Sequence, residues 1–203
     1  MRHLMNHLKR GYLTAAVLAL STSLSQAAEY TIDPAHSQVV FKIKHLGIST
    51  VTGSFEKLSG AFTFDPQDIK GSRASATIEA ASISTGVEQR DAHLRSPDFF
   101  DVEKFPQLTF ASKEITAIDG NTFQVHADLT LHGVTRPVVL EAELGGVLAQ
   151  DPWGNARAAF TASTTLNRKD FGLAVETGDL ILGEKLQILL EIEGILNNQE
   201  SAK

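Results

Sequence analysis

The chain has no cysteine among its 203 residues. That excludes a disulfide scaffold, a thiolate metal site, a cysteine nucleophile and a diacylated lipoprotein anchor. The fold must rest on its core alone. Nucleophile and phosphate motifs are missing as well: there is no Gly-x-Ser-x-Gly elbow and no Gly-rich phosphate loop. Asp91, His93 and Ser96 supply the residue types of a triad, but any chain of this length contains such a set. Basic charge is in deficit, with a formal net charge of −6. Nucleic acid and an anionic membrane surface are therefore poor main partners, although a local basic mouth stays open. No Pro/Ser-rich linker, charge block or internal repeat divides residues 29–203, so one domain is expected there.

Long apolar runs are confined to the N-terminus. Residues 1–10 carry Arg2, Lys9 and Arg10, residues 11–24 are apolar and small, and Ser25 and Ala27 stand at −3 and −1 of a cleavage site. Roughly 14 apolar residues fall short of the ~20 that a bilayer helix requires. Residues 1–28 read as a cleaved signal peptide, cut after Ala27 or Ala28. Export without cysteine fits the bacterial periplasm. Without the leader's three cations, 15 basic residues face 24 acidic ones, a charge near −9. No later segment is long or apolar enough for stable membrane insertion.

What remains is written in period two. Val39, Phe41, Ile43 and His45 fall on one parity, which gives a strand with one apolar face and an imidazole at its end. Phe123, Val125, Ala127, Leu129 and Leu131 alternate with polar residues. The segment HGVTRP turns the chain, and Val138, Leu140, Ala142 and Leu144 resume the pattern. Leu186, Ile188, Leu190 and Ile192 repeat it. Phe62 and Phe64 lie in a further strand, closed by Asp65-Pro66. Short strands divided by turn signals indicate an antiparallel all-β sandwich or barrel. Ala74, Ala76 and Ala80 share one parity, and Ala158 and Ala162 another. Small inward residues leave a void or admit a ligand, unless phenylalanines from facing strands fill the gap. Asp151-Pro152-Trp153-Gly154 and Lys169-Asp170-Phe171-Gly172 read as turns, and Trp153 either plugs a barrel end or is an ordinary turn aromatic.

Residues 85–100 break the pattern and predict one short helical excursion. Thr85 reads as N-cap with Glu88 three residues on, a capping box. Pro97 suits the first turn of a second short helix. Arg90, Asp91, His93 and Arg95 form either a solvated helix face with local ion pairs or a cationic rim at a cavity mouth. His126 and His132 share a parity but lie roughly 20 Å apart along a strand, too far to chelate one ion, and both read as solvated. His36 sits in turn chemistry beside Asp33-Pro34. A zinc site assembled from distant residues stays open. His45 is either a core histidine with satisfied ring nitrogens or a polar point that orients a ligand head group.

Several segments in fixed order resemble the YceI-like family of bacterial periplasmic proteins. They are YTIDPAHSQVVFKIKHLG at 30–47, GSFEKLSGAFTFD at 53–65 and RDAHLRSPDFFDVEKFPQLTFAS at 90–112. DLTLHGVTRPVVLEAEL at 128–144, DPWGNARAAF at 151–160 and NRKDFGL at 167–173 complete the set. The resemblance implies an extended, lipocalin-like antiparallel β-barrel around an elongated apolar cavity. It implies a long amphiphile as ligand: a polyisoprenoid such as an isoprenoid quinone or polyprenyl phosphate, or a fatty-acid-like molecule. It brings no catalytic residues, cofactor or metal, and it allows a homodimer.

Alternation and the family motifs together assign the cavity wall to Val39, Phe41, Ile43, Phe55, Phe62, Ile78, Phe110, Leu129, Leu131 and Phe160. His45 is the candidate internal polar contact. Arg90, His93, Arg95 and Arg168 are candidates for the mouth. Two other readings compete with a periplasmic binding protein: an enzyme acting on a lipid or quinone through His45 or His93, and a stress-response interaction protein with a solidly packed barrel.

Overall fold

The computed structural model describes residues 27–197. The leader expected over residues 1–28 therefore lies outside the described residues, apart from Ala27 and Ala28. In chain order the strands are β1 (Ala28–Ile32), β2 (Gln38–His45), β3 (Ser49–Phe55), β4 (Leu58–Phe64), β5 (Arg73–Glu79) and β6 (Ile83–Ser84). After helix α1 (Glu88–Arg95) come β7 (Gln107–Asp119), β8 (Thr122–Leu131), β9 (Val134–Leu148), β10 (Arg157–Asn167) and β11 (Leu182–Leu196).

All pairings are antiparallel. The order β1-β4-β5-β7-β8-β9-β10-β11 returns to β1, which closes an eight-strand barrel. The short strands prolong three of these staves. Tyr30 and Ile32 of β1 face Leu196 and Gly194 of β11, and Gln38 and Ile43 of β2 face Glu191 and Leu186 farther along it. In the same way β3 continues β4 against β2, and β6 continues β5 against β3. Each of these staves bends once, at residues 33–37, 56–57 and Ala80–Ser82.

The period-two reading holds where it was clearest. Val39, Phe41, Phe123, Ala127, Leu131, Val138, Leu140 and Leu186 are all buried. The HGVTRP turn is tighter than expected. His132 and Gly133 alone make it, with φ of 52° and 72°, and Val134 to Pro137 already belong to β9. Two successive left-handed residues match the twist of a two-residue hairpin. Phe105 reinforces the choice of glycine, because a Cβ on Gly133 would lie 2.3 Å from its ring.

The 85–100 excursion is helical, but its caps differ from expectation. Val87 occupies the N-cap with no side-chain cap bond. Thr85 is instead held by Asp91, whose Oδ1 accepts from the Thr85 backbone N–H at 2.8 Å and from its hydroxyl at 2.5 Å. A buried carboxylate one turn into the helix out-competes the solvent-facing Glu88 for these donors. Residues 96–104 form turns rather than a second helix. Trp153 is 78% exposed and plugs nothing. The turn that carries it is built on Asp151, whose Oδ1 accepts from the backbone N–H of Trp153 and Asn155. His132 is half-buried against Phe105 rather than solvated.

Candidate binding cavity

The barrel is not solidly packed. An apolar cavity of about 270 Å³ lies inside it, lined from all eight staves and from α1 through Leu94. Along β8 it reaches from Phe123 to Leu131, roughly 26 Å of strand. The alanines make the room: Ala74 and Ala76 on β5, Ala142 on β9 and Ala162 on β10 all border the space. Phenylalanines narrow its two ends instead of filling its middle. At one end Phe160 meets Phe64 and Phe62 edge-on at 5.1 and 5.4 Å, and Phe123 lies 6.4 Å away. At the other, Phe55 packs against Phe41 at 5.9 Å and Phe100 at 5.7 Å. Tyr30 stacks on Phe62 at 5.0 Å, and burial raises its phenol pKa.

Every wall position named from the sequence borders this space: Val39, Phe41, Ile43, Phe55, Phe62, Ile78, Phe110, Leu129, Leu131 and Phe160. The sequence reading missed Leu94, Phe99 and Phe100. Their signal was an apolar residue in the last turn of the helix and a pair just after it, masked by the charged residues around them.

The polar candidates do not converge on the cavity. His45 is exposed and is not among the lining residues, which corrects its internal placement. Its parity is inward, but it ends β2 opposite Leu182, where β11 breaks register before Leu186, and its side chain faces solvent. Arg90 donates to the Thr85 hydroxyl at 2.7 Å and carbonyl at 3.1 Å. Arg95 donates to the carbonyls of Ala81 and Ile83, both at 2.8 Å. Both arginines thus pin α1 to the neighbouring stave. His93 is exposed, with its Nε2 3.4 Å from Asp98 and its ring edge-on to Phe99.

Arg168 does border the cavity and is only 2% exposed. It lies in a 3₁₀ turn after β10, whose N-cap Asn167 accepts from the Lys169 N–H. Its Nε donates to the Gly183 carbonyl, Nη1 to those of Leu173 and Ala174, and Nη2 to those of Thr177 and Leu182 and to Asp179. A guanidinium has five N–H donors, and these partners absorb them all. Arg168 therefore ties the β10–β11 loop down over one barrel end. Asp179 and Glu184 also hold Lys169, which raises that ammonium's pKa, and Lys169 in turn lowers that of Asp179.

Asp33, His36 and Glu193 bring their ligand atoms within 4.8 Å of one another. The charge between them is already supplied by protein. Arg157 donates to Asp33 at 2.9 Å, to Asp151 at 2.6 Å and to Glu193. The cluster reads as an ion-pair hub on the barrel wall. Hydrogen bonds to Asp151, Asp33 and Glu193 push the Arg157 pKa further up. His36 first and Arg157 next lower that of Asp33. Burial works against the Asp151 carboxylate, yet bonds from Arg157, Asn155 and Trp153 outweigh it and hold its pKa well below the usual range.

A closed barrel around an apolar channel, with its charged groups spent on structure, is a container. Residues 30–194 match the YceI-like domain. A UPF0312 protein of Photorhabdus laumondii is 42% identical over 185 residues, 90% of this chain and 94% of its own length. The chain belongs to the YceI-like family. Among solved structures, the YceI protein of Campylobacter jejuni is 34% identical, with a TM-score of 0.70 over 77% of this chain and 91% of that one. A polyisoprenoid-binding domain from Saccharophagus degradans is 17% identical and shares the fold, with a TM-score of 0.66 over 85% of this chain and 100% of that one. The YceI-like barrel expected from the sequence motifs is the barrel observed, and among the described residues no helix is long and apolar enough to cross a membrane.

Proposed function

We propose that this YceI-like protein sequesters or carries a long-chain amphiphile, such as an isoprenoid quinone, a polyprenyl phosphate or a fatty-acid-like molecule, with its tail inside the barrel. The observation that carries this reading is the long, almost wholly apolar cavity. Water finds few partners in such a space, whereas a hydrocarbon chain matches it. Each methylene buried there contributes about 0.8 kcal/mol. A long tail therefore gains affinity without directional contacts. The structural likeness to the Saccharophagus polyisoprenoid-binding domain supports an isoprenoid as the tail. Such tails are nearly insoluble, and the leader-like N-terminus supports the periplasm as the place where one needs cover. Binding rather than catalysis is favoured because the arginines around the cavity are committed to backbone carbonyls and His45 and His93 are exposed outside it.

Native mass spectrometry of the protein purified from the periplasm tests this reading. A co-purifying lipid, or uptake of an offered prenyl quinone or prenyl phosphate, is the expected result. A protein that carries none and takes up none overturns it.

A further inference from the structure

The wall between β9 and β10 is only partly laddered. The two strands pair from Leu148 and Arg157 as far as Glu141 and Ser163. Beyond that point Thr164 to Asn167 pair only with β11, and Val134 to Leu140 only with β8. Pro137 supplies a cause. In the register set by the His132-Gly133 turn, residues 135, 137 and 139 direct their backbone groups away from β8 and toward β10. Pro137 has no N–H to offer there, so the ladder cannot continue. The strands diverge, and the Thr164 hydroxyl spans the gap by donating to the Val139 carbonyl at 2.8 Å. Arg136 Nε donates to the Asp170 carbonyl at 3.2 Å, and buried Phe171 packs at the end of the split.

A cleft of about 640 Å³ occupies this split on the outer surface. Arg136, Thr165, Asn167 and Asp170 make it polar, unlike the cavity behind it. Val138, Thr164 and Leu166 border both spaces, so a single layer of side chains separates them.

We propose that the split is the port of the cavity: the tail threads between Val138 and Leu166, and the head group stays in the outer cleft. This rests on the tail-binding reading above. Opening the port breaks a few side-chain hydrogen bonds, Thr164 to Val139 and Arg136 to Asp170 among them, rather than a strand ladder. Arg136, Thr165 and Asn167 present donors there, and Arg136 forms no ion pair among the described residues. Asp170 borders the same cleft, and its negative charge opposes a dianionic head. The matching head group is neutral and bears acceptor oxygens, as quinone carbonyls do.

A chain without cysteine allows a clean test. Cysteines replace the exposed Val139 and Thr165, one on each side of the cleft, and a short bis-methanethiosulfonate linker bridges them. Uptake of a prenyl quinone slows about tenfold or more when the bridge is in place, and a reductant restores it. The same bridge between Glu143 and Thr161, directly paired on these strands, leaves uptake unchanged. A bridged Val139–Thr165 variant that loads at the unmodified rate overturns the port alone. Unmodified protein that takes up neither a prenyl quinone nor a prenyl phosphate overturns tail binding, and the port with it. Arg136→Gln weakens binding of the quinone about tenfold, as expected for a hydrogen bond from a charged group, and spares a prenyl hydrocarbon of equal length. Equal effects on both ligands overturn the head-group placement, and tighter binding of a prenyl phosphate than of the quinone overturns the neutral head.

Discussion

At the scale of single residues, two arginines each tie several segments of the chain together. Arg168 is buried, and its loss withdraws a donor from five backbone carbonyls, of which that of Ala174 also accepts from the Thr177 N–H. An unsatisfied buried acceptor costs on the order of 1–3 kcal/mol. Arg168→Met is expected to lower unfolding stability by at least about 3 kcal/mol in urea titration, and to speed amide exchange across the β10–β11 loop first. Arg157 acts through pH. Asp151 and Asp33 have lowered pKa values in the folded chain, whereas unfolded aspartates titrate near ~3.9. As pH falls, the unfolded state takes up protons first. The stabilisation is thus complete above about pH 5 and is lost progressively below about pH 4. Thermal melts should show the melting temperature dropping between pH 6 and pH 3. Arg157→Met should be less stable at pH 6, with the gap to the unsubstituted protein closing toward pH 3. His45 illustrates the limit of reading one residue: parity predicts its side but not where along the strand the interior ends.

At the scale of elements, close approach between staves decides which small residues are indispensable. An ideal Cβ on Gly60 of β4 would lie 2.3 Å from the Ser75 carbonyl oxygen of β5 and 2.9 Å from the Ala76 Cα. Backbone cannot step aside as a flexible side chain can. Gly60→Ala is expected to cost about 1–3 kcal/mol, as overpacking does, measured by chemical denaturation. Alternation revealed the strands that face a wet exterior and an apolar interior, such as β8 and β11. It did not reveal that β1 with β2, β3 with β4, and β5 with β6 are bent single staves. Those breaks satisfy long-range partners: the Asp33 N–H donates to Glu193, Glu56 to Ser82 and Ala80 to Pro106. No local pattern encodes such pairs. The helix start failed for a similar reason. Thr85 and Glu88 have the spacing of a capping box, but Asp91, buried between helix and stave, offers the better acceptor.

At the scale of the whole molecule, the cavity is a volume balance between facing walls. Replacing Ala76 or Ala162 by Phe should narrow the channel and reduce uptake of a long-chain ligand while the barrel still folds. Ligand titration with circular dichroism as the fold control checks this. An occupant should also stabilise the fold, by about 2.7 kcal/mol at a free concentration one hundred times its dissociation constant. A thermal shift that scales with ligand concentration in the unsubstituted protein and is lost in Ala162→Phe is the expected pattern.

The sequence by itself determined the all-β class, the inward parity of β2, β8, β9 and β11, the freedom from disulfides and the family to which the motifs belong. These follow from short-range rules, because pleat, turn chemistry and motif order act along the chain. Only the tertiary structure decided that the alanines line an open channel with phenylalanines at its ends. It alone showed that Arg168, Arg90 and Arg95 spend their donors on backbone carbonyls, and that β9 and β10 part at Pro137. The physical reason is that none of the three is a pattern along one strand. The channel depends on which strands become neighbours when the barrel closes, which pairs residues more than a hundred positions apart, as β1 with β11. The arginine bonds and the split depend on how nearer segments meet in three dimensions.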